Sequence, residues 1–188
     1  SENLNAIASS GALAVAVGDK GTIRSSADGI TWVSVASPTT QNLYSVVYSG
    51  SGVWTAVGAG GILLTSSDAA TWVTVASGTT ADLRAVTAQV TTSYTLIAVG
   101  NGGSVTRSTD NGATWTVQSS GTTADLLAVS PTSSQVLAAG TGGTVITSPT
   151  GITWTTRTSG TTSSLYAVLS GFAQYVAVGQ NGTNINSQ

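Results

Sequence analysis

Short runs of apolar and β-branched residues alternate along the chain with polar stretches rich in glycine, serine and threonine. In one representative stretch, the apolar runs cover residues 43–47, 53–57, 62–65 and 71–75. Runs of four or five such residues, bounded by Gly, Ser and Thr, predict short β-strands. No stretch has the apolar spacing of an amphipathic helix. The pattern therefore predicts an all-β protein.

The same succession of strands recurs five times. Each unit opens on a leucine, and its second strand ends on a glycine that is followed three residues later by another glycine. The opening leucines are Leu4, Leu43, Leu83, Leu126 and Leu165. Within a single domain, residues 1–188, the units cover residues 3–41, 42–81, 82–124, 125–163 and 164–188. A repeat of about 40 residues with four strands predicts a five-bladed β-propeller, and a β-solenoid, which usually has shorter coils, is the alternative.

Four-residue segments that begin and end with glycine connect the second strand of each unit to the third. In the second unit this segment is residues 58–61. Tight hairpins require positive φ angles, which glycine and asparagine adopt at little cost. We therefore expect the geometry of the turn to require these glycines.

The fifth unit is shorter than the others. It supplies three strand-like runs and ends at residues 184–188, without the fourth strand. We therefore expect a three-stranded final blade with an open outer edge near residues 183–186. An open edge can pair with a strand of another chain. Asn184 and Asn186 also fit a short polar edge that simply faces water, so both interpretations remain open.

A serine-to-tryptophan segment follows the third strand in the first four units. We call residues 26–32, 66–72, 108–115 and 148–154 the Ser–Trp segments. Their turn carboxylates are Asp28, Asp68 and Asp110, and their tryptophans are Trp32, Trp72, Trp115 and Trp154. Aspartate in a turn accepts hydrogen bonds from backbone amides, and tryptophan buries a large apolar face. We expect the carboxylates to stabilise turns and the indoles to pack on the neighbouring blade, with no metal bound there.

The pattern Ser-x-Asp-x-Gly-x-Thr-Trp resembles the Asp-box, or BNR, repeat of sialidase-type propellers. Residues 110–115 match it fully, the segments at Ser26 and Ser66 are one residue shorter, and Thr150 replaces the aspartate in the fourth. The wider unit is similar to bacterial Asp-box repeats related to the photosystem II assembly factor Ycf48, and to repeats of bacterial surface and phage structural proteins. The resemblance covers nearly the whole chain. It implies a propeller in which the Asp-box is a folding element, without defining one function.

The composition excludes several classes of partner. Charged residues make up only 6% of the chain, and the net charge is −2. Nucleic acids and anionic membrane surfaces are recognised by clustered Lys and Arg, so neither is expected here. The absence of Cys and His removes disulfides, thiolate ligands and the commonest metal ligand, and we expect no cofactor. No apolar run approaches the roughly 18 residues of a membrane span, so no membrane insertion is expected.

The same composition bears on location. A charge-poor surface rich in Ser, Thr and Gly, without Cys, favours an extracellular, virion or bacterial-surface protein. The chain begins at Ser1 with no recognisable signal peptide, and we expect a mature or trimmed form.

Catalytic groups do not converge in the sequence. Glycoside hydrolysis needs two carboxyl groups about 5–9.5 Å apart, and the resemblance to sialidases implies an arginine cluster as well. The single Glu is Glu2, and the acids outside the Ser–Trp segments occur at most once per unit. The arginines are Arg24, Arg84, Arg107 and Arg157, which are dispersed among the units. We therefore expect no enzymatic activity.

Two sets of residues are candidates for ligand binding. The loops between units contain repeated Thr-Thr pairs, in which Thr80, Thr123 and Thr162 could bind a sugar, although Gly and Thr also suit turns without a ligand. The aromatic residues that break the repeat are Trp54, Tyr175, Tyr44 and Tyr166. Exposed aromatics often mark binding surfaces, and they could equally fill space under the open blade.

Taken together, these features favour a non-catalytic structural or recognition module on a phage particle or bacterial surface. It would bind a protein or a glycan through its propeller loops. One alternative is a multivalent lectin with sugar sites between the blades. The other is a Ycf48-like protein-assembly factor, although the arginine patch that this resemblance implies is not evident in the sequence.

Overall fold

The protein is all-β, and the computed structural model describes residues 2–90, 94–132, 134–171 and 174–186. Blade 1 contains β1 (Leu4–Ser9), β2 (Ala14–Gly18), β3 (Ile23–Ser26) and β4 (Val33–Val35). Blade 2 contains β5 (Leu43–Tyr48), β6 (Trp54–Gly58), β7 (Leu63–Ser66) and β8 (Val73–Thr74). Blade 3 contains β9 (Leu83–Val90), β10 (Tyr94–Gly100), β11 (Val105–Ser108) and β12 (Thr116–Gln118). Blade 4 contains β13 (Leu126–Pro131), β14 (Val136–Gly140), β15 (Val145–Ser148) and β16 (Thr155–Arg157). Blade 5 contains β17 (Leu165–Gly171), β18 (Gln174–Gly179) and β19 (Asn184–Asn186).

Each blade is one antiparallel sheet whose strands pair in chain order. Four sheets have four strands, and the fifth, β17-β18-β19, has three. The prediction of a five-bladed propeller with a three-stranded final blade is therefore confirmed. The innermost strands β1, β5, β9, β13 and β17 contact one another in succession. Among the described residues, no helix is long and apolar enough to cross a membrane.

The regular spacing of the hairpin glycines has a different cause from the one expected. The first glycine of each hairpin is extended, with φ of −169° at Gly100, so the turn does not require it. A Cβ at Gly100 would lie only 1.9 Å from the carbonyl oxygen of Asp82, at the start of the same blade. The positive φ angles fall on the last two residues, Gly102 (63°) and Gly103 (73°). Close approach of two backbones therefore requires the first glycine.

The core consists of four apolar clusters, one at each junction between successive blades. At the first junction, Val15, Val17 and Ile23 of blade 1 meet Leu43 and Trp72 of blade 2. At each junction, one face of a blade packs against the opposite face of the next blade. We call the face of a blade that meets the preceding blade its leading face, and the face that meets the following blade its trailing face.

Hydrogen bonds on one rim reinforce three of these junctions. The side chains of the residues before β5, β9 and β13 each accept a hydrogen bond from the hairpin of the preceding blade. The bonds run from Lys20 N to Asn42 Oδ1 (2.9 Å), from Gly60 N to Asp82 Oδ1 (2.8 Å) and from Gly102 N to Asp125 Oδ1 (2.7 Å). Asp82 and Asp125, two of the acids outside the Ser–Trp segments, therefore join blades.

Blade 1 and blade 5 do not form a fifth junction among the described residues. The leucine that opens each unit is fully buried at Leu43, Leu83, Leu126 and Leu165, but Leu4 is 53% exposed. No apolar cluster joins β17 to β1, and these strands lack the extensive contact that the other innermost strands make. The five blades therefore form an arc with four internal junctions and two free end faces.

Candidate recognition sites

The carboxylates of the Ser–Trp segments organise the turn between the third and fourth strands. Asp28 Oδ1 accepts hydrogen bonds from Ile30 N (2.8 Å), Thr31 N (2.7 Å) and Ser26 Oγ (3.0 Å). Asp68 repeats this arrangement in blade 2. These bonds use the carboxylate inside its own turn, as expected for a folding element.

The third and fourth segments vary the arrangement. In blade 3, Asp110 accepts from the backbone N (2.9 Å) and the hydroxyl (2.5 Å) of Thr114. In blade 4, where Thr150 replaces the acid, Ser148 Oγ still accepts from Gly151 N (2.8 Å), as the equivalent serines do in blades 1 and 3. The serine therefore preserves part of the turn without a carboxylate.

The indoles are packed to different extents. Trp72 and Trp115 are buried, and each Nε1 donates to a carbonyl of its own segment, on Ala69 or Gly112, at 3.2 Å. Trp154 is partly buried against blade 3, and its Nε1 has no hydrogen-bond partner. Trp32 is partly exposed beside Arg24, because no described blade precedes blade 1. The expected packing on a neighbouring blade is thus present at Trp72, Trp115 and Trp154 and missing at Trp32.

We expect the three turn carboxylates to make the stability of the protein depend on acid pH. Backbone hydrogen bonds lower the pKa of Asp28 and Asp68 to about 2, and the hydroxyl and amide of Thr114 lower the pKa of Asp110 to about 2. Since these pKa values lie below those of the unfolded chain, the stabilisation is complete above about pH 4 and is lost as the pH falls towards 2.

Carbon-detected NMR titration of the aspartate carboxyl groups measures these pKa values directly. Midpoints near the ordinary value of 3.8 at all three positions would contradict the predicted role of the turn hydrogen bonds. Asp68→Ala serves as the matched variant, and its stability should depend less on pH between 4 and 2 than that of the parent chain.

A cavity of about 300 Å³ lies between blade 4 and blade 5. Its walls include Leu137, Val145 and Thr147 on the trailing face of blade 4, and Tyr175 and Ile185 on blade 5. Asn186 of β19 also lines it, so the cavity opens beside the strand that has no outer neighbour among the described residues. The outer edge of this sheet and the apolar cavity therefore lie next to each other.

The other junctions show what normally occupies this position. In blade 3, Ile97 and Arg107 are the counterparts of Leu137 and Thr147, and the Ser–Trp turn of blade 4 lies directly on them. A Cβ added to Gly151 of that turn would be 2.6 Å from Ile97 Cδ1. Blade 5 has no Ser–Trp segment among its described residues, so the cavity marks the place that this segment fills elsewhere.

The candidate aromatic residues are not gathered at one site. Trp54 is only 3% exposed and packs against Tyr48, with the ring centroids 4.8 Å apart. The expectation of a surface aromatic at this position is therefore corrected: the indole fills space in the core. Tyr175 is partly buried and lines the cavity.

Two further tyrosines occupy equivalent positions in β5 and β17. Tyr44 lies at the junction of blades 2 and 3, where the guanidinium carbon of Arg84 is 4.6 Å from its ring centroid. Tyr166 is exposed, since no blade follows blade 5 among the described residues. Neither tyrosine lines the cavity between blades 4 and 5 that contains Tyr175.

The two residues of each repeated threonine pair have different roles. The first hydroxyl of each pair accepts a hydrogen bond from the amide two residues later, as from Ala81 N to Thr79 Oγ1 at 3.1 Å. The second residues are exposed at Thr80, Thr123 and Thr162. Thr80 and Thr162 line open recesses of about 660 and 780 Å³ on blades 2 and 4. No aromatic side chain lines either recess, so neither offers the stacking platform that a sugar site needs.

The cavity is the site that reasoning from the sequence missed. Its signal is present in the sequence, because the fifth unit keeps the inner strands and lacks the segment that covers them. This missing segment predicted an open edge but not the hollow beside it. Arg157, which lines the cavity and donates from Nε to Thr147 Oγ1 at 2.9 Å, was considered only as a dispersed cation.

The fold defines the chain as a β-propeller protein. Among solved structures, "YCF48 bound to D1 peptide" matches it with a TM-score of 0.76 at 18% identity, over 100% of this chain and 63% of that chain. "YCF48 from Cyanidioschyzon merolae" matches with a TM-score of 0.67 at 20% identity, over 93% of this chain and 63% of that chain. No family model matches the chain, and no curated protein sequence is significantly similar to it. The chain thus shares its fold with Ycf48 and spans about 63% of the length of these structures.

Proposed function

We propose that this protein is a non-catalytic recognition module that binds another polypeptide by strand addition to blade 5. The observation that carries the proposal is the cavity of about 300 Å³ beside β19, a strand that pairs with β18 and has no strand on its outer edge among the described residues. Blades 1 to 4 each have a fourth strand next to the third, and blade 5 has three strands among the described residues. An extended partner segment can supply the missing strand through backbone hydrogen bonds.

The side chains around the cavity indicate the chemistry of the partner. Leu137, Val145 and Ile185 offer an apolar surface, and Tyr175 adds an aromatic wall. In the complete blades a tryptophan follows the turn at the equivalent place, so an aromatic residue in the partner strand suits the cavity. The guanidinium of Arg157 lies at the wall and favours a carbonyl or an acidic side chain nearby.

Further features support a protein ligand. One of the two Ycf48 structures is of that protein bound to a D1 peptide, so a propeller of this fold binds a peptide. The recesses beside Thr80 and Thr162 lack an aromatic platform, which makes a lectin function less well supported. The charge-poor, hydroxyl-rich composition supports display on a phage particle or a bacterial surface, and a Ycf48-like assembly role is the second candidate.

Binding of a synthetic peptide tests this function. The peptide reproduces residues 66–75 of the chain, the Ser–Trp turn and fourth strand of blade 2, and its control carries alanine in place of the tryptophan. We expect the first peptide to bind, and the control to bind at least about tenfold more weakly, since a buried anchor is worth about 2 kcal/mol or more. Fluorescence anisotropy of labelled peptides measures both affinities.

Hydrogen exchange and substitutions in the protein locate the peptide-binding site. Amide hydrogen exchange should slow at residues 184–186 when the first peptide is bound. Ala177→Phe, which fills the cavity, should abolish binding, whereas Thr123→Ala and Thr162→Ala in the loops should leave it unchanged. Equal binding of the two peptides, or protection only in the loops, would overturn the proposal.

A further inference from the structure

We propose that the free end faces of the arc bind each other between two copies of this chain, with the trailing face of blade 5 in one copy packed on the leading face of blade 1 in the other. This interface is separate from the outer edge of β19. It needs no ligand and extends the repeat pattern of the chain from one molecule to the next.

The leading face of blade 1 has the apolar side chains of a junction without the neighbouring blade. Ile7 is 63% exposed, whereas its counterparts Val46 and Val86 are buried at 7%. On the same face Leu4 is exposed and Trp32 is partly exposed, as described above. A Cβ added to Gly29 would contact nothing within 4 Å, although one at the equivalent Gly151 would collide with blade 3. Within the part of the chain that the structure describes, this face therefore lacks the partner that every other leading face has.

The trailing face of blade 5 shows the complementary pattern. Val176 and Val178 are 43% and 45% exposed, whereas their counterparts Leu137 and Ala139 in blade 4 are buried against blade 5. Tyr166 and Leu169 extend this exposed apolar patch along β17. Large exposed apolar patches are uncommon on monomeric proteins and indicate interaction surfaces.

A second copy is the occupant that the structure favours, because faces of these two kinds already bind each other at four junctions inside the chain. The rim hydrogen bond can also be repeated. At the first junction Lys20, with φ of 52°, donates its backbone N–H to Asn42. At the free ends, Asn181 of blade 5 is the counterpart of Lys20, with φ of 57°, and Asn3 of blade 1 is the counterpart of Asn42. The backbone N–H of Asn181 in one copy can therefore donate to the side chain of Asn3 in the other.

The new junction is more polar than the internal ones. Arg24 stands where blades 2 and 4 have the buried residues Leu64 and Ile146, and Asn184 stands where blade 4 has Val145. We therefore expect reversible association rather than an obligate assembly. Because the two faces differ, the contact is heterologous, and copies join head to tail into rings or open chains.

Sedimentation velocity and light scattering over a range of protein concentrations test the proposal. The parent chain should form dimers and larger species as its concentration rises. Ile7→Asp, on the leading face, and Leu169→Asp, on the trailing face, should each be monomeric, because a buried unpaired carboxylate is costly. Both positions are exposed in the single chain, so circular dichroism and thermal unfolding should show an intact fold. Val73→Asp, at an exposed position on β8, is the control that should still associate.

Mixing the two monomeric variants gives the sharpest outcome. The Ile7→Asp chain keeps its trailing face and the Leu169→Asp chain keeps its leading face, so the mixture should form a 1:1 dimer and nothing larger. A parent chain that stays monomeric, single variants that still self-associate, or a mixture without dimer would each overturn the proposal. Peptide binding at β19 should persist in the Ile7→Asp variant, so the two proposals fail independently.

Discussion

Replacing Gly100 with alanine is expected to destabilise the protein by more than about 4 kcal/mol, an effect at the extreme of single substitutions. The added Cβ would lie 1.9 Å from the carbonyl oxygen of Asp82. That carbonyl accepts a hydrogen bond from Asn101 N at 2.9 Å, so it cannot move aside without breaking the contact between the first strand and the hairpin. The innermost strand β9 would have to shift away from β10.

Gly102→Ala is the matched control in the same hairpin. Nothing lies within 4 Å of a Cβ at Gly102, and its N–H remains available to Asp125. The expected loss of unfolding free energy is about 1–2 kcal/mol, the cost of placing an alanine in the left-handed conformation. Lys20 and Asn181 adopt this conformation at the equivalent positions of blades 1 and 5. Urea unfolding followed by tryptophan fluorescence measures both values. Similar losses for the two variants would show that turn geometry, rather than close approach, is what these hairpins require.

Trp115→Ala should cost about 3–5 kcal/mol, whereas Trp32→Ala should cost about 1 kcal/mol or less. The two residues occupy the same place in the repeat. Trp115 is buried against Val57 and Leu63 of blade 2, and its removal leaves a cavity at a blade junction. Trp32 is partly exposed on the leading face of blade 1, which no blade among the described residues covers.

Unfolding free energies of the two variants, measured in dilute protein, test this difference. Dilution matters because association of copies would cover Trp32. If the two substitutions lowered the unfolding free energy of the monomer equally, blade 1 would have to be packed against another blade and the arc would be closed. A larger loss for Trp32→Ala at high protein concentration than at low concentration would instead support the head-to-tail interface.

The strands and their order could be predicted from the sequence because each one is a local pattern. The apolar runs, the turns between them and the repeat length are all present in a single unit, and the incomplete fifth unit indicated the three-stranded blade. The conformations of Gly100 and Gly102 could not be separated in this way. One glycine is needed because a distant carbonyl approaches it, and the sequence does not show which backbones meet.

The candidate site could not be predicted in the same way, because it depends on which residues of neighbouring blades meet. Equivalent residues look alike in every unit of the sequence even where their neighbours in the structure differ. Trp32 and Trp72 have nearly identical neighbours in sequence, but only Trp72 has a blade in front of it. Trp54 looked like an unusual surface aromatic and is a core residue, because its position in β6 faces inward. The cavity beside β19 follows from a segment that is missing, and its walls come from residues of two units.

The four internal junctions are built in the same way from equivalent residues. This similarity affects how such a chain can gain or lose repeat units. A closed ring of blades fixes the angle between neighbours, so an added unit disturbs every joint at once. An arc has no such constraint, since an extra unit at either end meets only one existing face. Duplication or loss of a repeat in the gene would therefore leave the remaining joints intact, and blade number is free to vary among chains built from this unit.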